Sequence, residues 1–91
     1  MTLSEIILQR LAVLEPLELH LEDDSAKHAG HAGAAGGGGH FNLTITAAAF
    51  AELNAIKRHR MIYSLLTDLM PNQIHALSVK AYSPEERASD F

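Results

Sequence analysis

The sequence contains no cysteine. Disulfide bonds therefore cannot stabilise the fold, and any metal site has to use histidine, carboxylates or ligands that a partner supplies. The chain also lacks any apolar stretch that approaches the roughly 20 residues needed to span a bilayer. We therefore expect a soluble, cytoplasmic protein that does not use a membrane.

Patterns typical of an enzyme are also missing. There is no Ser-His-Asp set, and the glycine run Gly36–Gly39 is not followed by the Lys-Ser/Thr pair of a phosphate-binding loop. We expect neither catalysis nor a small-molecule substrate. The formal net charge of −4 argues against an attraction of the whole surface to nucleic acid. A negative net charge does not exclude a local basic patch.

The length of 91 residues predicts a single domain over residues 1–91. Hydrophobic periodicity predicts its elements in the order α-β-β-α-α-β. A capping-box pattern at Thr2 and Glu5 begins the first helix, and Pro16 stops it. Alternating apolar residues predict strands, and helical spacing predicts a short and a longer helix between the second and third strands. The strands lie at about 17–22, 41–46 and 74–82, the helices at about 47–53 and 56–70, and a short terminal helix begins the tail 83–91.

The segment between the first two strands is rich in glycine, alanine and histidine over residues 24–39, which predicts a flexible loop. Strands one and two then pair most simply as an antiparallel hairpin. Two helices separate strands two and three, which is the length that a parallel crossover requires. We expect an α+β fold with a three-stranded mixed sheet and helices packed on one face.

This topology brings histidines together. Strand one ends, and strands two and three begin, at the same edge of the predicted sheet. The loop with His28 and His31 leaves from that edge, His40 begins strand two, and His75 begins strand three. Imidazole nitrogen is a common metal ligand, but two imidazoles leave half of a tetrahedral shell empty.

Each histidine also has an ordinary interpretation. His28 and His31 lie in the predicted loop, and most loop histidines bind nothing. His40, next to Phe41, is more typical of a surface residue at the end of a strand. His75 shares the parity of apolar strand residues, which is typical of a partly buried, hydrogen-bonded side chain. His20 faces the polar side of the first strand and is expected to be solvated.

Two segments closely resemble the signature of the BolA family. They are R-H-R-M-I-Y at residues 58–63 and I-H-A-L-S-V at residues 74–79. His40-Phe41 at the start of a strand and Phe50 before the first segment also fit, so the resemblance covers nearly the whole chain. It implies a fold similar to class II KH domains. One departure is Glu52, which stands where the family commonly has glycine.

The resemblance also implies a function. Members of the family pair with monothiol glutaredoxins as heterodimers and can bridge a [2Fe–2S] cluster, with thiolates from the glutaredoxin and from glutathione. By resemblance, His75 is the strand ligand and His28 is the loop ligand, with His31 close enough to substitute. The family therefore implies no cofactor for the chain alone and a role in cluster trafficking or in iron or redox sensing.

A basic segment at the start of the longer helix permits a second function. Lys57, Arg58, His59 and Arg60 are adjacent, and some BolA proteins are described as transcriptional regulators, so DNA is a possible partner. Class II KH domains, however, hold nucleic acid through a GXXG loop, and residues 54–56 contain no glycine. We therefore favour partner docking over nucleic acid, with pairing to acidic residues of the same chain as the ordinary alternative.

Overall fold

The computed structural model describes residues 1–25 and 39–89. The predicted α+β class is confirmed. Its main elements are α1 (Leu3–Leu11), β1 (Glu18–Asp23), β2 (Gly39–Thr46), α2 (Ala55–Ser64), β3 (Ile74–Tyr82) and α3 (Pro84–Ser89). The mobility predicted for the loop over 24–39 concerns mainly residues 26–38, which lie outside the described residues. No helix within the two described ranges is long and apolar enough to cross a membrane.

The three strands form one mixed sheet in the order β1-β2-β3. β1 and β2 are antiparallel, and β2 and β3 are parallel, as the sequence predicts. At one end of the sheet Gly39 pairs with Ile74, and at the other end Thr46 pairs with both Glu18 and Tyr82. We call the first end the histidine edge; it comprises residues 23–25, 39–40 and 74–76.

The core lies between one face of the sheet and the helices. The capping box at Thr2 and Glu5 is present, and α1 then packs its apolar side onto the sheet. β2 is the central strand and contributes every second residue to the core. The buried apolar residues are Ile7, Leu11, Phe41, Leu43, Ile45, Ala47, Phe50, Ile62, Leu66, Leu69 and Ile74.

The short helix predicted at 47–53 is present only as a shorter 3₁₀ turn. Ala47 remains extended because its N–H donates to the carbonyl of Tyr82, at an N–O distance of 3.1 Å. Only a single 3₁₀ turn, Ala48–Phe50, follows. Glu52 then adopts a left-handed conformation with φ of 66°, which ends any helical path before α2 begins.

The longer helix ends earlier than predicted, at Ser64 rather than near Met70. The chain continues as tight turns and a 3₁₀ segment, Thr67–Leu69. Arg10 of α1 donates to the carbonyl of Leu65 at 2.9 Å and to both carboxylate oxygens of Asp68. The bond to Leu65 gives a partner to a carbonyl that the shortened helix leaves without an intrahelical bond.

Candidate histidine site at the sheet edge

His75 occupies an irregularity at the start of β3. Gly39 pairs with Ile74 and His40 pairs with Ala76, so the register passes over His75. This one-residue shift lets Ile74 be fully buried while the next residue, His75, is exposed. Irregularities of this kind redirect a side chain. The structure therefore contradicts the interpretation of His75 as a partly buried strand residue.

His40 lies beside His75, as the predicted strand topology requires. The centroids of the two imidazole rings are 5.2 Å apart, and the ring planes are tilted by 44°. His40 is half-buried, and its neighbour Phe41 packs into the core. The topology thus brings together two of the four histidines expected at this edge. The other two, His28 and His31, lie outside the described residues.

The two ends of the loop that carries His28 and His31 are bonded to each other. The N–H of Asp24 donates to the carbonyl of His40 at 2.7 Å. The N–H of His40 donates to the hydroxyl oxygen of Ser25 at 3.0 Å. The chain therefore enters and leaves the loop at the histidine edge, and His28 follows Ser25 by three residues.

Ser25 is a supporting residue that the sequence interpretation did not single out. Its N–H donates to the Asp23 carboxylate at 2.9 Å. Bonds from the Ser25 side chain and backbone hold the pKa of Asp23 below its usual value. An Asp followed two residues later by Ser is a pattern typical of such turns, so the sequence did contain a signal.

Gly39 is the second supporting residue. A Cβ at this position would overlap the ring of Phe41 and would lie 3.3 Å from the carbonyl oxygen of Gln73. The backbone of Gly39 also donates to that carbonyl at 2.8 Å. The absence of a side chain here allows β2 and β3 to begin side by side, and this places His40 next to His75.

The described histidines do not make a complete metal site by themselves. Within residues 1–25 and 39–89, no group of three or more His, Cys, Asp or Glu side chains is arranged to hold a metal ion. An ion or cluster bound by His75 therefore needs further ligands from the loop, a partner or solvent. Because His75 is exposed, such ligands have access to its imidazole ring.

The basic start of α2 divides into internal and external side chains. Arg58 has a side-chain exposure of only 12%. Its guanidinium donates to the carbonyls of Leu53 at 2.8 Å and Ala81 at 3.0 Å and to the carboxylate of Glu86 at 2.6 Å. Arg58 thus joins α2 to β3 and α3. Its ion pair with Glu86 matches the alternative in which the basic residues pair with acidic residues of the same chain.

The remaining basic residues differ in exposure. Lys57 and Arg60 are exposed, whereas His59 is half-buried with its ring edge-on to Tyr63, at a centroid distance of 6.0 Å. The side chain of Asn54 caps α2 by accepting from the N–H of Lys57 at 2.9 Å. Among the four residues predicted to contact a partner or DNA, Lys57 and Arg60 therefore present the most accessible charge.

The α2 start and the histidine edge lie at opposite ends of the sheet. Arg58 contacts β3 at Ala81, six residues beyond His75. At a rise of about 3.3 Å per residue, the strand separates the two by about 20 Å. A ligand as small as a cluster cannot contact both of them, but a protein partner that lies along β3 can.

Comparison with known proteins identifies one family model and several similar proteins. A sequence model of the family described as "BolA-like protein" matches residues 11–86. The SufE-like protein 1 of Arabidopsis thaliana, whose name places it in chloroplasts and mitochondria, is 47% identical over 78 residues, which are 80% of this chain and 21% of that protein. The chloroplastic Protein BOLA1 of the same plant is 44% identical over 84% of this chain and 49% of its own length.

The chain thus spans about a fifth and about half of these two relatives. A Haemophilus influenzae protein named DNA-binding transcriptional regulator BolA is 32% identical over 94% of this chain and 82% of its own length. The solved structure of BolA1 from Arabidopsis thaliana superposes with a TM-score of 0.81 and 39% identity, covering 94% of this chain and 96% of that one. From these matches and the shared fold, the chain belongs to the BolA-like protein family.

Proposed function

We propose that this chain is a partner of a monothiol glutaredoxin and that the two proteins, with glutathione, share a bridging [2Fe–2S] cluster. The observation that carries the proposal is the exposed His75 at the register irregularity, beside the bonded ends of the histidine-containing loop. The role is cluster trafficking or iron and redox sensing, and the chain acts without catalysis of its own. A cytoplasmic location remains a prediction.

The donor chemistry of the chain fits a shared cluster. Thiolate is the usual ligand of iron–sulfur clusters, and imidazole replaces part of the thiolate set in some of them. The chain has no cysteine, so any thiolate ligands have to come from outside it, and in this proposal the glutaredoxin and glutathione supply them. When bound, the cluster supplies a one-electron redox centre, and imidazole ligands raise its potential.

The residues of this chain have separate roles in the proposal. His75 holds a nitrogen ligand at a fixed place on the sheet, and His28 or His31 supplies the second nitrogen. Ser25 and Gly39 keep the loop ends and the two strand starts in position. Lys57 and Arg60 offer charge for docking of the partner protein at the far end of β3.

The test is a visible absorption and circular dichroism spectrum of the complex. The chain is produced with a monothiol glutaredoxin and purified without oxygen in the presence of glutathione. We expect His75→Ala to remove the cluster bands and His20→Ala to keep them, because His20 is also an exposed strand histidine but lies on β1, facing the polar side. A His75→Ala complex with the wild-type spectrum and cluster lifetime would make His75 a structural residue and refute the proposal.

The second candidate function is DNA binding through the α2 start. It is favoured by the exposed Lys57 and Arg60 and by the name of the Haemophilus influenzae relative. If these residues contact phosphates, the double change Lys57→Ala and Arg60→Ala should lower DNA affinity and reduce the salt slope by about 0.9 for each lost contact. An effect on glutaredoxin affinity with no measurable DNA binding by the wild type would instead support docking.

A further inference from the structure

The histidine edge contains an imidazole pair that the proposed cluster does not use as a pair. The ring centroids of His40 and His75 are 5.2 Å apart with a tilt of 44°. Two imidazoles bound to one tetrahedral ion through metal–nitrogen bonds of about 2.0–2.1 Å have their centroids roughly 5 Å apart. The rings therefore already stand at the separation that a shared mononuclear ion requires.

The backbone around the pair is held in place on both strands. His40 donates its N–H to Ser25 and accepts at its carbonyl from Asp24. His75 is the second residue of β3 and follows the fully buried Ile74. Neither ring needs a rearrangement of the fold to meet the other, so little conformational entropy is lost when an ion joins them.

The two rings differ in their access to solvent. The Nε2 atom of His40 is shielded, whereas the His75 side chain is exposed. An ion therefore approaches from the His75 side.

We propose that His40 and His75 form a binding site for a mononuclear divalent transition-metal ion of the zinc class in the chain without glutaredoxin. Imidazole nitrogen is a suitable ligand for Zn²⁺, Ni²⁺ and Cu²⁺. The two histidines are the protein ligands, and water fills the remaining positions. The site goes beyond the proposed function, because it pairs His75 with His40 rather than with a loop histidine and needs no partner.

A consequence links this site to the proposed function. His75 cannot bind a mononuclear ion and a shared cluster through the same nitrogen at once. A ligand that stabilises one state of the chain opposes the other by the same factor. Zinc at the His40–His75 site therefore lowers the yield of the cluster-containing complex in proportion to its occupancy.

The test is a titration of the chain alone with Zn²⁺, followed by calorimetry in a buffer that binds zinc weakly. We expect one ion per chain, and a loss of at least tenfold in affinity in His40→Ala and in His75→Ala. His20→Ala is the matched control, because it removes an exposed strand histidine from the far edge strand. The double variant His28→Ala/His31→Ala is the second control and should also keep the wild-type affinity.

Two further measurements distinguish a variant that has lost its metal ligand from a variant that has failed to fold. Thermal unfolding without metal shows whether each variant is folded, and His40→Gln retains a polar side chain of similar size while removing the ligand nitrogen. Imidazole ¹⁵N shifts of exactly two histidines should move on adding Zn²⁺. Unchanged affinity in a folded His40→Gln variant, or loss of affinity in the loop double variant, overturns the site without bearing on the cluster proposal.

Discussion

At the scale of single residues, two glutamates occupy backbone conformations that favour glycine. Glu15 has a φ of 51° and Glu52 a φ of 66°. A left-handed conformation costs an ordinary residue roughly 1–2 kcal/mol. Glu52 stands where the family commonly has glycine, and the structure shows that the turn keeps a left-handed geometry with glutamate in place.

We therefore expect Glu52→Gly to stabilise the protein. The relief of the left-handed strain exceeds the greater flexibility of glycine in the unfolded chain, and the net gain should be about 0.5–1 kcal/mol. The urea midpoint at neutral pH measures it. Gln9→Gly is the control, because Gln9 is exposed inside α1 and the same introduction of glycine there should cost about 1 kcal/mol.

Gly39 gives the opposite prediction. A methyl group at this position would overlap the ring of Phe41, which is only 3% exposed. Gly39→Ala should therefore destabilise the protein by about 1–3 kcal/mol, as overpacking of a core does. Denaturant unfolding gives the magnitude, and loss of the His40–His75 ring contact by NMR gives the local effect. A variant with wild-type stability would show that Phe41 has room to move.

The residue scale is also where prediction from the sequence was weakest. The topology correctly placed His40 and His75 at one edge, because that follows from chain order and strand direction alone. The exposure of His75 did not follow, because strict alternation gives it the parity of Leu77 and Val79. The alternation within β3 alone does not reveal a one-residue shift in register, because the shift is a property of how β3 pairs with β2 next to Gly39.

At the scale of elements, α3 is held to the rest of the fold by polar contacts. The Glu86 carboxylate accepts from the N–H of Ser83 at 2.7 Å and from Arg58 at 2.6 Å. Arg87 pairs with Glu18 at 3.0 Å and lies over the ring of Tyr82. Both contacts lie at the end of the sheet opposite the histidine edge.

Glu86 makes the attachment of α3 sensitive to acid. Hydrogen bonds from Ser83 and Arg58 lower the pKa of Glu86 from 4.5 to about 2. A carboxylate with a lowered pKa in the folded state stabilises the fold above its unfolded pKa, and this contribution disappears as the pH falls through the folded value. Wild-type stability should therefore decline between about pH 4.5 and pH 2 through this group.

Glu86→Gln should flatten that part of the curve. Urea midpoints measured from pH 7 to pH 2 give the slope for each variant. Glu85→Gln is the control, because it removes one charge from the same turn and leaves the Ser83 and Arg58 contacts in place. An equal slope in the wild type and Glu86→Gln would show that α3 detaches without regard to this carboxylate.

Strands were predicted better than helices, for a physical reason. β2 alternates clearly and is paired on both sides, so its pattern and its neighbours favour the same structure. The composition of residues 47–53 favours a helix. The hydrogen bond from the N–H of Ala47 to the carbonyl of Tyr82 nevertheless keeps Ala47 in the extended conformation of the strand before it. The conformation of this short segment is therefore determined by a tertiary hydrogen bond and not by the local helix propensity of its residues.

At the scale of the whole molecule, the candidate cluster ligands and the candidate docking residues lie at opposite ends of β3. The histidine edge and the α2 start are separated by the length of β3, about 20 Å. One glutaredoxin that contacts both would have to cover that length, which is within the reach of a standard protein interface. Changes at Lys57 and Arg60 should therefore alter docking without altering the visible spectrum of any cluster that forms.

The proposed cluster depends on one histidine fixed in β3 and on a second histidine in a loop that the sequence predicts to be flexible. His75 is fixed at the start of β3, so its imidazole binds with little loss of entropy. His28 and His31 belong to a loop that the sequence predicts to be flexible, and ordering such a chain costs about 1–2 kcal/mol for each residue fixed. We therefore expect His75→Ala to abolish or strongly destabilise the cluster, while His28→Ala only weakens it.

His31 determines the size of that weaker effect, because it is three residues from His28 in the same loop. It should rescue part of the cluster in His28→Ala, so the double change of His28 and His31 should resemble His75→Ala. Rates of cluster loss from the mixed complex, followed by visible absorption after dilution into a chelator, distinguish these cases. If the double variant loses its cluster no faster than the wild type, the second nitrogen ligand is not in the loop, and His40 becomes the residue to test, because its ring is already beside His75.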